Sequence, residues 1–344
     1  MKIHHLIIDG GSGGAETFLS RLARALQARG HPQHVILTAN APQEEYMRRH
    51  DVPHTVLDFG KLSKPFSLLK MRRIVNRERP DAIVAWMSRS GRNIPRGRHL
   101  TVGRLGNRYK IDNFKRCDLI VGNSPDLVEF AIQGGRPDAR LITNFIELSP
   151  FPPIDRSHIR RPLLLACARL NPAKGFDVLL HALTRLDAHL WIAGVGKLRE
   201  ELESLAIRLG VADRVEFLGW RSDVPALLAA ADVFVFPSRW EGTSNSLLEA
   251  AAAAKPIVTT SGLSVSWFLE HEKSALIVPV DDEEALARAV QRLVSEPNLG
   301  HQLGLAAQRI YQSTFSEDAV CDQWIKTLAE AIEAKAAASS LRGS

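Results

Sequence analysis

A chain of 344 residues, 45% hydrophobic and 24% charged, exceeds what one hydrophobic core serves and predicts two globular domains rather than a fibrous or disordered polymer. Lys and Arg total 44 against 38 Asp and Glu, and the three cysteines (Cys117, Cys167, Cys321) are too few and too scattered for a disulfide framework or a zinc motif, which points to a reducing cytoplasm. No apolar run approaches the ~20 residues that span a bilayer, and Met1 to Asp9 turns polar too soon for a signal peptide.

In chain order, β-branched runs predict strands near 2–9, 33–39, 54–58, 82–87, 99–104, 118–122 and 139–143, with helices near 14–29, 42–50, 66–78 and 124–133. Such alternation argues for a parallel sheet with crossover helices. Gly10-Gly11-Ser12-Gly13-Gly14 follows the first strand and opens the first helix. Glycines there let backbone approach a ligand, and free peptide N–H groups supply anion contacts. The spacing is not that of a dinucleotide fingerprint, and no acidic residue ends the second strand.

Charge is unevenly spread. Residues 1–150 hold 24 Lys and Arg against 14 Asp and Glu, whereas residues 151–344 hold 20 against 24. The excess gathers in 61–110, where Lys61, Lys64, Lys70, Arg72, Arg73, Arg77 and Arg79 alternate with Phe66, Leu68, Leu69, Ile74 and Val75. A basic amphipathic helix of this kind docks on anionic lipid, or on a phosphorylated glycolipid acceptor, at about 1 kcal/mol per cation near the surface. Base-stacking aromatics are not interleaved with the cations, which argues against nucleic acid.

Leu148 to Pro153 reads as a proline-rich linker, and a second alternating series begins at 162 and runs to about 295. Its first strand, Pro162 to Ala166, leads into Cys167-Ala-Arg-Leu-Asn-Pro-Ala-Lys-Gly175 and then a helix over Phe176 to Leu183. Arg169 and Lys174 thus share one strand exit, a position that neutralises a diphosphate. A later strand, Ala231 to Ser238, feeds Arg239-Trp-Glu-Gly-Thr-Ser-Asn-Ser-Leu-Leu-Glu249 and an alanine-rich helix. Thr243, Ser244 and Asn245 are helix-capping types, so the unit is a strand, a loop and a helix N-terminus suited to an anion. Glu249, in the second turn, can accept hydrogen bonds from ribose hydroxyls, and Glu241 can hold a second polyol. From Phe315 to Ala338 one amphipathic helix is expected, with Val320, Trp324, Leu328 and Ile332 at four-residue spacing.

These segments resemble glycosyltransferase family 4, the retaining nucleotide-sugar enzymes of the GT-B fold, across nearly the whole chain. Gly13-Gly14-Ala15-Glu16 resembles the family's N-terminal glycine loop, and Arg169-Leu170 with Lys174-Gly175 its diphosphate-binding pair. Phe217-Leu218-Gly219 resembles the strand that walls the base pocket. Glu241-Gly242 through Glu249-Ala250, followed by Lys255-Pro256-Ile257-Val258, resembles its Glu-x7-Glu signature. The resemblance implies an α/β protein with two Rossmann-like domains, 1–150 for the acceptor and 160–315 for the nucleotide sugar, facing an interdomain cleft. It implies that a helix over 316–338 crosses back to the first domain.

It further implies catalytic roles for Arg169, Lys174 and Glu241. Donor contacts would come from Gly13, Gly14, Gly194, Gly196, Thr243, Ser244, Asn245, Ser246, Leu247 and Glu249, with Arg221 and Asp223 near the base. Many relatives carry a His at the exit of the fourth or fifth strand of the first domain. Here Ala85-Trp86-Met87-Ser88-Arg89-Ser90-Gly91 and Val102-Gly103-Arg104-Leu105-Gly106-Asn107 hold none, and His99 comes too early. Arg89, Arg104 and Asn107 are therefore expected at an anionic acceptor of lipopolysaccharide type.

The expected activity is transfer of a hexose, from UDP ahead of GDP, to a glycan or glycolipid in cell-surface polysaccharide synthesis. No cofactor is expected, and with no Asp-x-Asp site in the sequence, cations and helix dipoles would replace a metal. The place of work would be the cytoplasm, peripheral on the inner face of the membrane. A nucleotide-sugar epimerase of the same fold and a non-catalytic glycan- or lipid-binding relative remain as alternatives.

Overall fold

A computed structural model describes residues 1–8, 14–39, 41, 43–60, 62–146, 151–157, 159, 162–239, 244–262, 265 and 267–340. The described chain divides into two compact units, Met1–Phe145 with Glu317–Ser344, and Ile146–Ser316. Each is built on its own parallel sheet, and each sheet is buried on both faces.

The first unit carries β1 (Ile3–Ile7), α1 (Gly14–Ala28), β2 (Gln33–Thr38), α2 (Gln43–Arg49), β3 (His54–Leu57), α3 (Lys64–Glu78), β4 (Ala82–Trp86), α4 (Met87–Asn93), β5 (Leu100–Leu105), β6 (Leu119–Gly122), α5 (Pro125–Gln133) and β7 (Arg140–Leu141). Its strands order β3-β2-β1-β4-β5-β6-β7, so the sheet reverses direction of growth between β1 and β4. Period-2 alternation divides the strand residues between two layers. Ile3, Ile7, Val35, Val84 and Val102 pack with α1, whereas Leu6, Ile36, Ile83 and Ile120 pack with Met71 and Val75 of α3. His4 and His5 straddle the same alternation and are both fully buried, and burial pushes each imidazole down to about 4. His5 Nε2 meets Gln33 Oε1 at 2.8 Å, and Trp86 Nε1–H donates to His5 Nδ1 at 3.2 Å.

The second unit runs β8 (Leu163–Cys167), α6 (Phe176–Leu183), β9 (His189–Ala193), α7 (Arg199–Arg208), β10 (Val215–Gly219), α8 (Val224–Ala230), β11 (Val233–Phe236), α9 (Asn245–Ala252), β12 (Ile257–Thr260), β13 (Leu276–Val278), α10 (Glu283–Ser295) and α11 (Pro297–Thr314). Strand order is β10-β9-β8-β11-β12-β13, with the reversal between β8 and β11. Open parallel sheets hold ligands at the carboxyl ends of strands beside such a reversal. The loop after β8 carries Arg169 and Lys174, and α9, which follows β11, carries Glu249.

The last helix, α12 (Glu317–Ser340), belongs to the first unit. Of the stripe read from the sequence, Val320, Trp324 and Leu328 are fully buried and Ile332 partly so, with Cys321 buried beside them, where the helix packs on α1 and β5. Acidic residues in its first turn suit the helix dipole and pair with α1, Glu317 with Arg24 and Arg29, and Asp318 with Arg29. At the far end Lys335 Nζ donates to His99 O and Asp118 Oδ2, each at 2.7 Å. No helix among the described residues is long and apolar enough to cross a membrane.

The sequence expectation ran a strand to residue 87, but the strand ends at Trp86. Met87 takes φ +67° and starts the short helix α4. Ser, Arg and Gly dominate that helix, so no apolar period announces it. The linker read from Leu148 to Pro153 overlaps residues 147–150, which lie outside the described ones.

Trp324 fixes the final helix to the first sheet. Trp324→Ala should lower the unfolding free energy by about 3–5 kcal/mol in urea titrations, as large core truncations do. Trp220→Ala, at a residue 73% exposed, should change it by less than about 0.5 kcal/mol.

Candidate active site

The site grows from the exit of β8. After Cys167 the chain crosses the end of β9, where Ala168 N–H donates to Ala193 O (3.1 Å) and Leu170 N–H to Val195 O (3.0 Å). Gly194 and Gly196 make this possible. A Cβ at Gly194 would lie 1.9 Å from Ala168 O, and one at Gly196 would lie 2.1 Å from Leu170 O. Both glycines are therefore required by backbone contact with the loop that presents Arg169. The resemblance placed them beside a nucleotide, and their local geometry adds a packing role.

Arg169 is exposed at the crest of that loop, and a single 3-10 turn over Pro172–Lys174 returns the chain to α6. Gly175 closes the turn with φ +63°, and any Cβ there would sit 2.1 Å from Pro237 O. Lys174 is half-buried, with Nζ 5.8 Å from the Phe236 ring centroid at the end of β11. Burial, and then the charge of Arg169, push its ammonium down to about 8. Two cations held together in a partly desolvated place repel each other, and an anion between them relieves that repulsion.

Sequence reading missed Arg239, which locks this loop to the exit of β11. Its guanidinium meets Asp177 as a two-pronged fork (2.9 and 2.6 Å), donates to Asp281 Oδ1 at 2.6 Å and to Pro172 O at 2.7 Å. Arg239 N–H and Ser238 Oγ both donate to Ala173 O, at 2.8 and 2.9 Å. The fork raises the Arg239 pKa and holds Asp177 below the usual carboxylate range, despite the opposing desolvation of the carboxylate. Its only local signal was an arginine just before the acidic segment, which spacing rules do not single out.

On the other side of Arg239 lies α9. Ser244 is its N-cap in extended conformation, buried, and its hydroxyl faces Ser246 Oγ at 3.0 Å instead of capping a backbone N–H. The amides of Asn245, Ser246 and Leu247 precede the first helical bond, from Leu248 N–H to Ser244 O (3.1 Å). They form the positive end of the helix dipole. Leu247 is buried behind them, whereas Asn245 is exposed. Glu249 lies one turn on, half-buried, and its charge joins desolvation in raising the Cys167 thiol pKa. Its carboxylate thus lies within electrostatic reach of Cys167 at the end of β8. Glu241 and Thr243 lie outside the described residues, as does Gly13.

The remaining expected residues are more dispersed. Arg221 and Asp223 form a mutual ion pair after β10. In the first unit Gly14 opens α1 with free space where a Cβ would stand. Arg89 is exposed on α4, and Asn107 is exposed after β5, its Oδ1 accepting from Arg108 N–H at 2.7 Å. Arg104 is different: it is 3% exposed, its guanidinium carbon lies 5.7–6.0 Å from the rings of Phe18, Trp86 and Trp324, and Nη2 donates to Asn144 Oδ1 at 2.6 Å. Burial pushes its pKa down to about 9. His99 bonds Pro95 O at 2.9 Å, at the start of β5 rather than its carboxyl end.

Comparison with known proteins agrees with this architecture. Residues 12–150 match the family described as Glycosyltransferase Family 4, and residues 161–296 the one described as glycosyl transferases group 1. The chain is 32% identical over 341 residues to the lipopolysaccharide core biosynthesis glycosyltransferase LpsE of Rhizobium meliloti, covering 96% of this chain and 99% of that protein. It is 31% identical to LpsD of the same organism, covering 94% and 97%. The crystal structure of Anabaena Alr3699/HepE in complex with UDP superposes with TM-score 0.80 at 22% identity, covering 96% and 100%, which establishes the two-domain GT-B fold.

The half-buried lysine gives the site a pH signature. Binding of inorganic pyrophosphate, followed by calorimetry and corrected for the ligand's own ionisation, should weaken as pH rises through about 8 and Lys174 loses its proton, by up to about tenfold per pH unit. Lys174→Arg should remove that dependence, because a guanidinium stays charged across the range.

Proposed function

From membership of glycosyltransferase family 4, to which this chain belongs, we infer a hexosyltransferase that takes its sugar from a nucleotide diphosphate and retains configuration at the anomeric carbon. What supports the reading is that Arg169 and Lys174 share the exit of β8, and that the neighbouring strand β11 leads on to α9, whose N-terminal amides lack a side-chain cap from Ser244 and whose second turn holds Glu249. Diphosphate and ribose are the chemical pair that such a set of groups fits.

In this mechanism Arg169, Lys174 and the amides of Asn245 to Leu247 stabilise negative charge as it develops on the leaving diphosphate. Glu249 accepts hydrogen bonds from the ribose, and Glu241 holds the sugar. The bond from C1 to the diphosphate oxygen breaks while the acceptor oxygen bonds C1 on the same face, and the departing phosphate takes the acceptor's proton. Fixed cations do the work a divalent ion would otherwise do, so the proposed donor site is metal-independent. UDP is proposed ahead of GDP, as the nucleotide held by the Anabaena neighbour. Relatives named for lipopolysaccharide core biosynthesis support a lipopolysaccharide-type acceptor. Arg89 and Asn107 are its proposed contacts. The buried Arg104 is proposed to position the end of β5 rather than touch the acceptor.

Arg169→Ala or Lys174→Ala should reduce transfer from UDP-hexose at least ~1000-fold with unchanged thermal unfolding, in line with loss of a transition-state anion contact. Wild-type turnover in either variant, or no calorimetric heat with UDP-, GDP- or ADP-linked sugars, would refute the assignment. Sugar interconversion without acceptor would instead identify the epimerase.

We also propose that the protein works in the cytoplasm, peripheral on the inner face of the membrane. On α3 and the turn before it, Leu62, Phe66 and Leu69 are 93%, 76% and 52% exposed, among the exposed cations Lys64, Lys70, Arg72 and Arg73. Apolar side chains flanked by cations match a headgroup boundary. Flotation with acidic vesicles should recover the protein, and Phe66→Asp with Leu69→Asp should weaken that recovery at least ~10-fold. Equal, salt-insensitive recovery on neutral vesicles would count against this.

A further inference from the structure

We propose that His4, His34 and Glu78 form a binding site for a divalent transition metal of the zinc type, at the end of the first sheet opposite its ligand-facing loops. His4 and His34 are register partners on β1 and β2, each the second residue of its strand. Glu78 ends α3, the helix that covers this face of the sheet. The three residues are far apart in sequence and meet only through the strand order.

The geometry is that of a ligand set. Glu78 Oε2 lies 3.0 Å from His34 Nδ1 and 3.2 Å from His4 Nε2, and the three ligand atoms all fall within 4.8 Å of one another. Zinc bonds of about 2.0–2.1 Å in a tetrahedron place neighbouring ligand atoms roughly 3.3 Å apart, close to both short separations. His4 is 0% exposed, and among the described residues neither ring nitrogen makes a well-aligned hydrogen bond, Nε2 facing Glu78 Oε2 at 3.2 Å. A fully buried imidazole in that condition is costly, and a cation bound through Nε2 satisfies the nitrogen that faces the carboxylate.

The surroundings prepare the ligands. His34 Nε2 meets Thr55 Oγ1 at 2.9 Å, an outer contact of the kind that orients a metal-binding imidazole, with Nδ1 turned to Glu78. Arg77 Nη2 donates to Glu78 Oε1 at 2.8 Å, which leaves Oε2 turned to the histidines. Lys2 Nζ donates to Glu78 O at 3.0 Å and ties the end of α3 to β1. Two imidazoles and one carboxylate suit zinc better than calcium or magnesium, which prefer oxygen sets. Glu78 and His34 retain 20% and 13% side-chain exposure, enough for entry and for a water as fourth ligand. Such an ion would clamp β1, β2 and α3, and would take no part in sugar transfer.

The test uses the full-length protein after dialysis against a chelator. Competition of Zn2+ with a chromogenic chelator should show one equivalent bound and a raised thermal midpoint. His34→Gln and Glu78→Gln should each cut the affinity more than ~100-fold, and Thr55→Val should cost roughly tenfold as an outer-sphere change does. X-ray absorption of the zinc form should show nitrogen and oxygen neighbours with two imidazoles, whether or not every variant folds. No retained zinc, undiminished binding in both ligand variants, or sulfur in the first shell would each overturn the site.

Discussion

Everything at the ligand end of the second unit depends on the fork between Arg239 and Asp177. The loop from Arg169 to Gly175 has one short turn of its own, and a flexible loop would spread Arg169 and Lys174 over many positions. Arg239 removes that freedom by gripping the loop from outside: its guanidinium spans Asp177, Asp281 and Pro172 O, while its N–H and Ser238 Oγ hold Ala173 O. The ion pair itself is partly exposed, with Asp177 at 45%, so its contribution to overall stability is modest. Its consequence is geometric. Planar two-pronged bonding fixes orientation as well as distance, which a lysine in the same place would not do.

Restraint from the other flank is steric. Gly194 and Gly196 let β9 touch the backbone of Ala168 and Leu170, and Gly175 lets the turn lie against Pro237. Three glycines and one arginine thus bring two cations together before any ligand arrives. Burial, and after it the charge of Arg169, depresses the pKa of Lys174 in that arrangement. Preorganised charge of this sort favours the state in which negative charge is greatest.

Legibility in the sequence followed the range of the underlying physics. Local periodicity placed α1 within a residue of Gly14–Ala28 and gave Phe176–Leu183 outright, because apolar spacing and flanking glycines are short-range signals. The Val320, Trp324, Leu328 stripe was equally plain, since four-residue spacing survives any tertiary context. The helix at Met87–Asn93 was not, because its chain reversal rests on one strained residue and its side chains are mostly polar. Arg169 and Lys174 stood out by clustering at a strand exit. Arg239 did not, since its partners Asp177 and Asp281 lie 62 and 42 residues away. The roles of Gly194 and Gly196 were half legible: a glycine pattern announces close approach, but not whether a ligand or the chain itself does the approaching.

The first unit shows the same limit at Arg104. As a sequence feature it is one more cation in a basic stretch, indistinguishable from Arg89. Folding separates them, since β5 runs through the centre of its sheet and its side chain enters a cage of Phe18, Trp86 and Trp324. Those rings come from α1, β4 and α12, so one guanidinium touches three elements widely separated in the chain. Cation–π contact and the bond to Asn144 offset part of the desolvation, and the lowered pKa measures what is left uncompensated. A buried cation maintained at that cost constrains the end of β5 and the docking of the final helix together. The exposed cations of α3 stay hydrated and carry no such burial cost.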